Sequence, residues 1–234
     1  MVKPDFIVGI LGNIVSILSF ASPLGTFREV VKTKSSDNYD GLPYVSTLLS
    51  TSLWTFYGLL DPDDGILIVT VNSVGVTSQL VYLVLYLFYA SKTRKMKYIG
   101  LVILDLVFLG TVMVITLVAF HGESRRTLVG VLCATFTIAM YGAPLSIVRT
   151  VIRTMSVEYM PFFLSLSLFV NASVWLTFAL LVMDYYVLVP NAVGIVLGSL
   201  QLIVYFIYKT KTPPVNSVDM MSEDDIERNP NEKR

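Results

Sequence analysis

Long apolar runs, parted by short polar or charged stretches, organise this 234-residue chain. A helix that crosses a bilayer needs about 20 mostly apolar residues. Seven runs fit, near 6–27, 43–60, 66–90, 98–120, 127–148, 161–183 and 186–208. The joining stretches are too short to hold a separate soluble domain. This pattern predicts an all-α integral membrane protein of seven transmembrane helices. The first run is read as a retained helix, because no small-residue cleavage site and soluble remainder follow it. After Thr212 the chain turns polar, charged and proline-marked ("PPVNSVDMMSEDDIERNPNEKR"), and 212–234 reads as a disordered tail.

The runs repeat. A shift of 121 positions aligns Gly9–Ser35 with Gly130–Ser156 without a gap, and nine of the 27 pairs are identical, Pro23/Pro144 and Arg28/Arg149 among them. A shift of 119 aligns Asn72–Tyr89 with Asn191–Tyr208, again without a gap. Between these blocks Pro43 matches Pro161, and Trp54 matches Trp175. Helices 1–3 (within 1–97) and 5–7 (within 121–211) therefore read as two copies of one unit, with the fourth (98–120) as a linker. Three crossings invert the chain, and the linker restores the direction. The expected architecture is two parallel three-helix repeats related by an axis along the membrane normal, a 3+1+3 layout.

Charge orients the chain. Only 15% of residues are charged and mean hydropathy is +0.69, against about a quarter charged in soluble domains. Eleven Lys and Arg residues fall on one side, from Arg28 to Lys211, and three on the other: Lys3, Arg125 and Arg126. The positive-inside rule then places the N-terminus outside the cytosol and the C-terminus within it. Net charge is zero, so no nucleic-acid partner is implied, and the lone Cys133 excludes an internal disulfide framework. His121 stands alone, with no nucleophile or metal-ligand pattern around it. The chain is read as a non-enzyme with no cofactor or metal.

Polar groups inside an apolar barrier are costly unless paired, so polar positions recurring in both repeats mark a candidate solute site. Asn72 and Asn191 offer amide donors and an acceptor. Trp54 and Trp175 offer flat apolar faces with an N–H at the rim. Ser50 and Asn171 each lie four residues before one of these tryptophans, on the same helix face. Ser16 and Ser19 match Thr137 and Met140 by the 121 shift, on a stripe shared with the following proline. Pro23 and Pro144 stand about a turn before each helix ends, where a proline breaks the backbone ladder. Pro43 and Pro161 also fit ordinary helix starts. The one carboxylate deep in a run, Asp105, belongs to the linker, so no ion-coupling site is evident and uncoupled diffusion is the economical mechanism. The Asn171-Ala172-Ser173 sequon lies inside a helix and is discounted.

Several motifs in order give the chain a family resemblance over residues 5–210: "GNIVSILSFASPLGTF", "LPYVSTLLSTSLWTFYG", "TVNSVG", "MYGAPLS", "SVEYMPFFLSL" and "VPNAVG". It resembles the SWEET sugar facilitators of plants, and "LLSTSLWTFYG" and "SVEYMPF" with the short tail look most like the vacuolar-membrane subgroup. A plasma-membrane location is the alternative. The resemblance implies a sugar pocket built on Asn72, Asn191, Trp54 and Trp175 and lined at Ser16, Ser19, Ser50, Thr137, Met140 and Asn171. It implies that Pro23, Pro43, Pro144 and Pro161 hinge a cytosolic gate, and that Tyr57 and Asp184 close the luminal mouth. Two departures stand out. Ser73 replaces a usual glycine, and the loop after helix 2 reads "DPDDG" without the family's lysine.

The reading is a bidirectional uniporter for hexoses such as glucose or fructose, working by alternating access, with sucrose as the alternative substrate. Trp54, a bulky mate for Trp175, inclines the pocket toward monosaccharides. A homo-oligomer is compatible, since each chain holds a complete pathway. A seven-helix receptor is disfavoured by the tandem repeat, and a carrier of charged solutes by the absence of Arg or Lys near Asn72 and Asn191.

Overall fold

The structure, a computed structural model, describes residues 3–158, 160 and 162–210. Among them the chain is helical throughout: α1 (Pro4–Phe20), α2 (Leu24–Thr33), α3 (Leu42–Leu59), α4 (Ile66–Tyr89), α5 (Lys92–Ala119), α6 (Glu123–Met140), α7 (Gly142–Thr154), α8 (Phe162–Val182) and α9 (Tyr185–Lys209). The breaks after α1 and α6 fall beside the paired prolines, so α1–α2 and α6–α7 are each one bent stretch, Pro4–Thr33 and Glu123–Thr154. Lys34 and Met155, which end these stretches and are mates by the 121 shift, both take the left-handed conformation, at φ 53° and 55°.

Among the described residues, six stretches are long and apolar enough to cross a membrane, and α3 is not one of them. The expected run at 43–60 does form a helix, α3, and composition alone keeps it below that measure. Ser46, Thr47, Ser50, Thr51, Ser52 and Thr55 dilute α3's hydropathy. The helix packs on α4, α6 and α5, so its polar faces meet protein on three sides. α5 also opens at Lys92, which makes the basic stretch before residue 98 part of the helix.

The packing pairs close a ring in the order α1, α4, α3, α6, α9, α8 and back to α1, with α5 outside against α3. Exchanging α1 with α6, α3 with α8 and α4 with α9 reproduces the same neighbours. Lipid-type burial follows the ring. α1 turns Ile7, Ile14 and Leu18 outward and buries Gly9, Gly12 and Ser16, because small residues let membrane helices approach closely. A Cβ on Gly9 would stand 2.3 Å from Leu67 Cδ1, and one on Gly130 would stand 2.4 Å from the Tyr186 ring. Gly9 and Gly130 are mates, as are Leu67 and Tyr186, so one notch seats α4 on α1 and α9 on α6. In the first repeat Asn13 adds polar glue, donating to the Gly9 and Leu67 carbonyls at 3.0 Å each.

At the proline end, the α2–α3 loop is held against α4 and α5. Ser36, fully buried, donates to the Tyr86 carbonyl at 2.9 Å, and the Tyr86 hydroxyl and Arg94 both donate to the Tyr39 carbonyl at 3.1 Å. Tyr98 donates to the Asp40 carboxylate. That donation, with a second from the Leu42 N–H, holds the Asp40 carboxyl below the usual range.

Candidate solute cavity and its latch

The ring encloses a cavity of about 320 Å³. Asn72, on α4, and Asn191, on α9, face it from the two repeats. Each donates one amide N–H to the carbonyl four residues back, Asn72 to Ile68 at 2.9 Å and Asn191 to Val187 at 2.7 Å. This bond fixes each carboxamide while sparing its oxygen and a second N–H, neither of which has a protein partner among the described residues. Two mated amides thus present the same free donor and acceptor to one space.

The tryptophans repeat the symmetry. Trp175 donates its indole N–H to Ser16 Oγ at 2.9 Å, and Trp54 donates to Thr137 Oγ1 at 3.1 Å. Both bonds join mates under the same 121 shift, so each indole is pinned across the boundary between repeats, and both line the cavity. The walls differ in one respect. Ser16 donates its own O–H to Asn171 Oδ1 at 2.7 Å, whereas Ser50, the mate of Asn171, has no partner among the described residues. The cavity therefore has a three-member chain on one wall and a free hydroxyl on the other.

Nine of the ten sequence-derived cavity residues line this space: Asn72, Asn191, Trp54, Trp175, Ser50, Asn171, Ser16, Thr137 and Met140. Ser19 is outside the lining. Its hydroxyl turns back to the Val15 carbonyl at 3.1 Å, and it lacks the reach of its long mate Met140. Phe20, Thr47, Thr51, Tyr141 and Pro190 also line the cavity without having been anticipated. Phe20 and Tyr141 are mates by the 121 shift, one residue beyond Ser19 and Met140, so the alignment held their signal.

Of the four prolines, Pro23 lies within a turn in which Ser22 N–H bonds to the Ser19 carbonyl and Leu24 N–H to the Ala21 carbonyl, at 3.1 Å each, so the α-ladder is interrupted there. Pro144 sits in the first turn of α7, just past the break at Tyr141. Pro43 occupies the first turn of α3, where a missing N–H costs nothing. Pro161 and the 212–234 tail lie outside the described residues.

At the opposite end of the cavity a buried polar latch joins four elements. The Tyr57 hydroxyl donates to Asp184, at 2.9 Å to Oδ1 and 2.8 Å to Oδ2. Arg126 donates through Nε to the Tyr57 oxygen at 3.1 Å, and through Nη2 to Asp184 at 3.1 Å and Asp61 at 2.9 Å. Asp184 also accepts the Tyr186 and Val187 N–H groups, capping α9. Tyr57 and Asp184 are both essentially inaccessible. The sequence named Tyr57 and Asp184 but not the cation, sought in the "DPDDG" loop. The loop instead supplies a carboxylate, Asp61, and the cation comes from α6. A tight α3–α4 turn puts Asp61 there: a Cβ on Gly65 would stand 2.0 Å from the Gly58 carbonyl oxygen.

Comparison with known proteins decides the family. The family described as "Sugar efflux transporter for intercellular exchange" matches the chain twice, over residues 6–94 and 127–213. Bidirectional sugar transporter SWEET16 of Oryza sativa subsp. japonica is 52% identical over 215 residues, covering 91% of this chain and 65% of that protein. Bidirectional sugar transporter SWEET17 of Arabidopsis thaliana is 43% identical, covering 91% of this chain and 89% of that one. This chain belongs to the SWEET family. A solved structure titled "The 3.7 A resolution structure of a eukaryotic SWEET transporter" superposes with a TM-score of 0.84 at 38% identity, covering 88% of this chain and 97% of that one. SWEET proteins are transporters rather than enzymes, and this member is a multi-pass membrane protein.

Proposed function

We propose that this SWEET is a bidirectional uniporter that carries monosaccharides, hexoses such as glucose or fructose, down their gradient. The observation that carries the reading is the mated set of Asn72, Asn191, Trp54 and Trp175 around one cavity. Amides pair with sugar hydroxyls, and indole faces pack on the apolar face of a pyranose or furanose ring. Among the described residues no charged side chain lines the space, in keeping with a neutral polyol. The bulk of two indoles in about 320 Å³ favours one ring over two.

The working unit is two parallel repeats, 1–97 and 121–211, joined by the linker 98–120. The exchange symmetry of the packing pairs supports this division. Arg126, Asp61, Asp184 and Tyr57 form the extracytosolic gate, closed here by their mutual bonds. Bends at Pro23 and Pro144, aided by Pro43 and Pro161, open and close the cytosolic mouth. The N-terminus is extracytosolic and the C-terminus cytosolic, a direction that the distribution of Lys and Arg supports. The vacuolar membrane is the proposed location, following the subgroup that the motifs resemble. A single chain holds the whole pathway, whether alone or within a homo-oligomer.

Weak binding suits such turnover, and a millimolar constant corresponds to only about −4 kcal/mol. The test is uptake of radiolabelled glucose, fructose and sucrose in hexose-transport-deficient yeast, with and without a pH gradient. Hexose uptake that is indifferent to the gradient supports the proposal. Uptake of sucrose without hexose, or strict dependence on the gradient, overturns it.

A further inference from the structure

The end of the first helix of each repeat is tied to the third helix of the same repeat by one tyrosine hydroxyl, and the two ties run in opposite senses. In the first repeat Tyr82, on α4, donates to the Phe20 carbonyl at 2.9 Å. In the second, Tyr141, the mate of Phe20, donates to the Pro190 carbonyl on α9 at 3.2 Å. The mate of Tyr82 is Gln201, so the second repeat lacks the first tie. Phe20 has no hydroxyl, so the first repeat lacks the second.

Both aromatics sit in glycine notches one turn beyond the paired asparagines. A Cβ on Gly75 would stand 2.8 Å from Phe20 Cζ, and one on Gly194 would stand 2.6 Å from the Tyr141 hydroxyl. Tyr141 is also the break itself: α6 ends at Met140 and α7 begins at Gly142. A bend of α7 on α6 therefore turns the residue whose hydroxyl holds Pro190. Pro190 in turn immediately precedes Asn191 in α9, and its ring interrupts the helical ladder at that point. Tyr141, Pro190 and Asn191 all line one cavity.

We propose that Tyr141 is a positioning residue that couples the bend of the second repeat to Asn191. The tie joins two parts of the protein rather than protein to sugar, so it governs the rate of switching more than the strength of binding. The asymmetry has a consequence. In the second repeat the residue at the bend donates through its own side chain, whereas in the first Phe20 only accepts, through its backbone carbonyl. The inference rests on the sugar-carrier reading proposed above.

The experiment uses the full chain, purified and reconstituted in liposomes, with radiolabelled glucose for turnover and intrinsic fluorescence for binding. The chain's two tryptophans both line the cavity, so fluorescence reports the site directly. Tyr141→Phe keeps the ring and removes the bond. Turnover is expected to fall about fivefold or more, the equivalent of one neutral hydrogen bond, while the dissociation constant stays within about twofold. Gly194→Ala, which displaces the hydroxyl, should give the same split. If Tyr141→Phe turns over like the native protein, or loses binding in step with turnover, the coupling role is wrong. Asn191→Ala in the same assay separates the two claims. Its loss of transport beside a normal Tyr141→Phe refutes only the coupling, whereas its normal transport refutes the cavity reading beneath it.

Discussion

Trp175 and Ser16 are joined by an indole N–H···Oγ bond of 2.9 Å that crosses from α8 to α1, and Trp54 and Thr137 repeat it between α3 and α6 at 3.1 Å. The repeats therefore meet at their tryptophans, and the cavity wall is also the seam of the molecule. Ser16 does double duty, accepting from Trp175 and donating to Asn171.

Ser16→Ala strands an indole N–H and the Asn171 oxygen. Leaving a buried polar group unpaired costs about 1–3 kcal/mol, so the apparent sugar affinity should fall at least fivefold. Thr137→Ala breaks a single bond on the partly open wall and should cost less. Concentration dependence of glucose uptake for the two variants measures the difference, and equal effects would show the three-member chain to be unimportant.

The latch makes an unequal pair of predictions. Arg126→Gln leaves Asp61 and Asp184 buried without their cation, and breaking a buried pair from one side typically costs about 3–5 kcal/mol. Its thermal stability in detergent should drop sharply along with transport. Asp184→Asn keeps an oxygen for the Tyr186 and Val187 N–H groups, so α9 stays capped and the fold survives. Transport should slow while melting temperature falls much less. Similar melting temperatures for both variants would mean that Arg126 is not the keystone.

How much of this was legible beforehand follows from where the repeat is strict. The 121 and 119 shifts carried the asparagines, the tryptophans, Ser16/Thr137 and Pro23/Pro144, because both copies face the same demand at the same depth. Arg126 escaped because its mate is Asp5. The latch is asymmetric, and no repeat marks it. Pro190 escaped for the same reason, since its mate is Val71. Ser19 failed because alignment gives a residue's stripe and not its reach. α3 was legible from its length despite its polarity, since contact with three helices licenses serines and threonines that lipid would not.

Glycines supply a stability contrast. A Cβ on Gly65 would meet backbone oxygens of Gly58 and Asp61 at 2.0 and 2.4 Å, and backbone cannot step aside. Gly110, in α5, has nothing within 4 Å of the same position. Gly65→Ala should abolish folded protein in fluorescence-detected gel filtration. Gly110→Ala should be neutral or gain about 0.5–1 kcal/mol from helix propensity. A stable Gly65→Ala protein would contradict the tight α3–α4 turn.

The clasp of the α2–α3 loop predicts a pH window. Tyr98 donation, aided by the Leu42 N–H, holds the Asp40 carboxyl below its ordinary value. A depressed carboxyl contributes stability above its unfolded pKa, about 3.9, and loses it as pH falls through the folded value. The melting-temperature gap between the native chain and Tyr98→Phe should hold from pH 7 to 5 and close only below about pH 4. A gap that closes by pH 5 would contradict the assignment.

The central claim is that the mated asparagines bind sugar within the ring. Asn191→Ala removes one of them from a helix that should still fold, since among the described residues its amide bonds only within α9. Glucose uptake by this variant in transport-deficient yeast, scored beside its membrane abundance, is the most direct measurement. The account predicts that uptake is abolished at normal abundance, and native uptake by Asn191→Ala would contradict it.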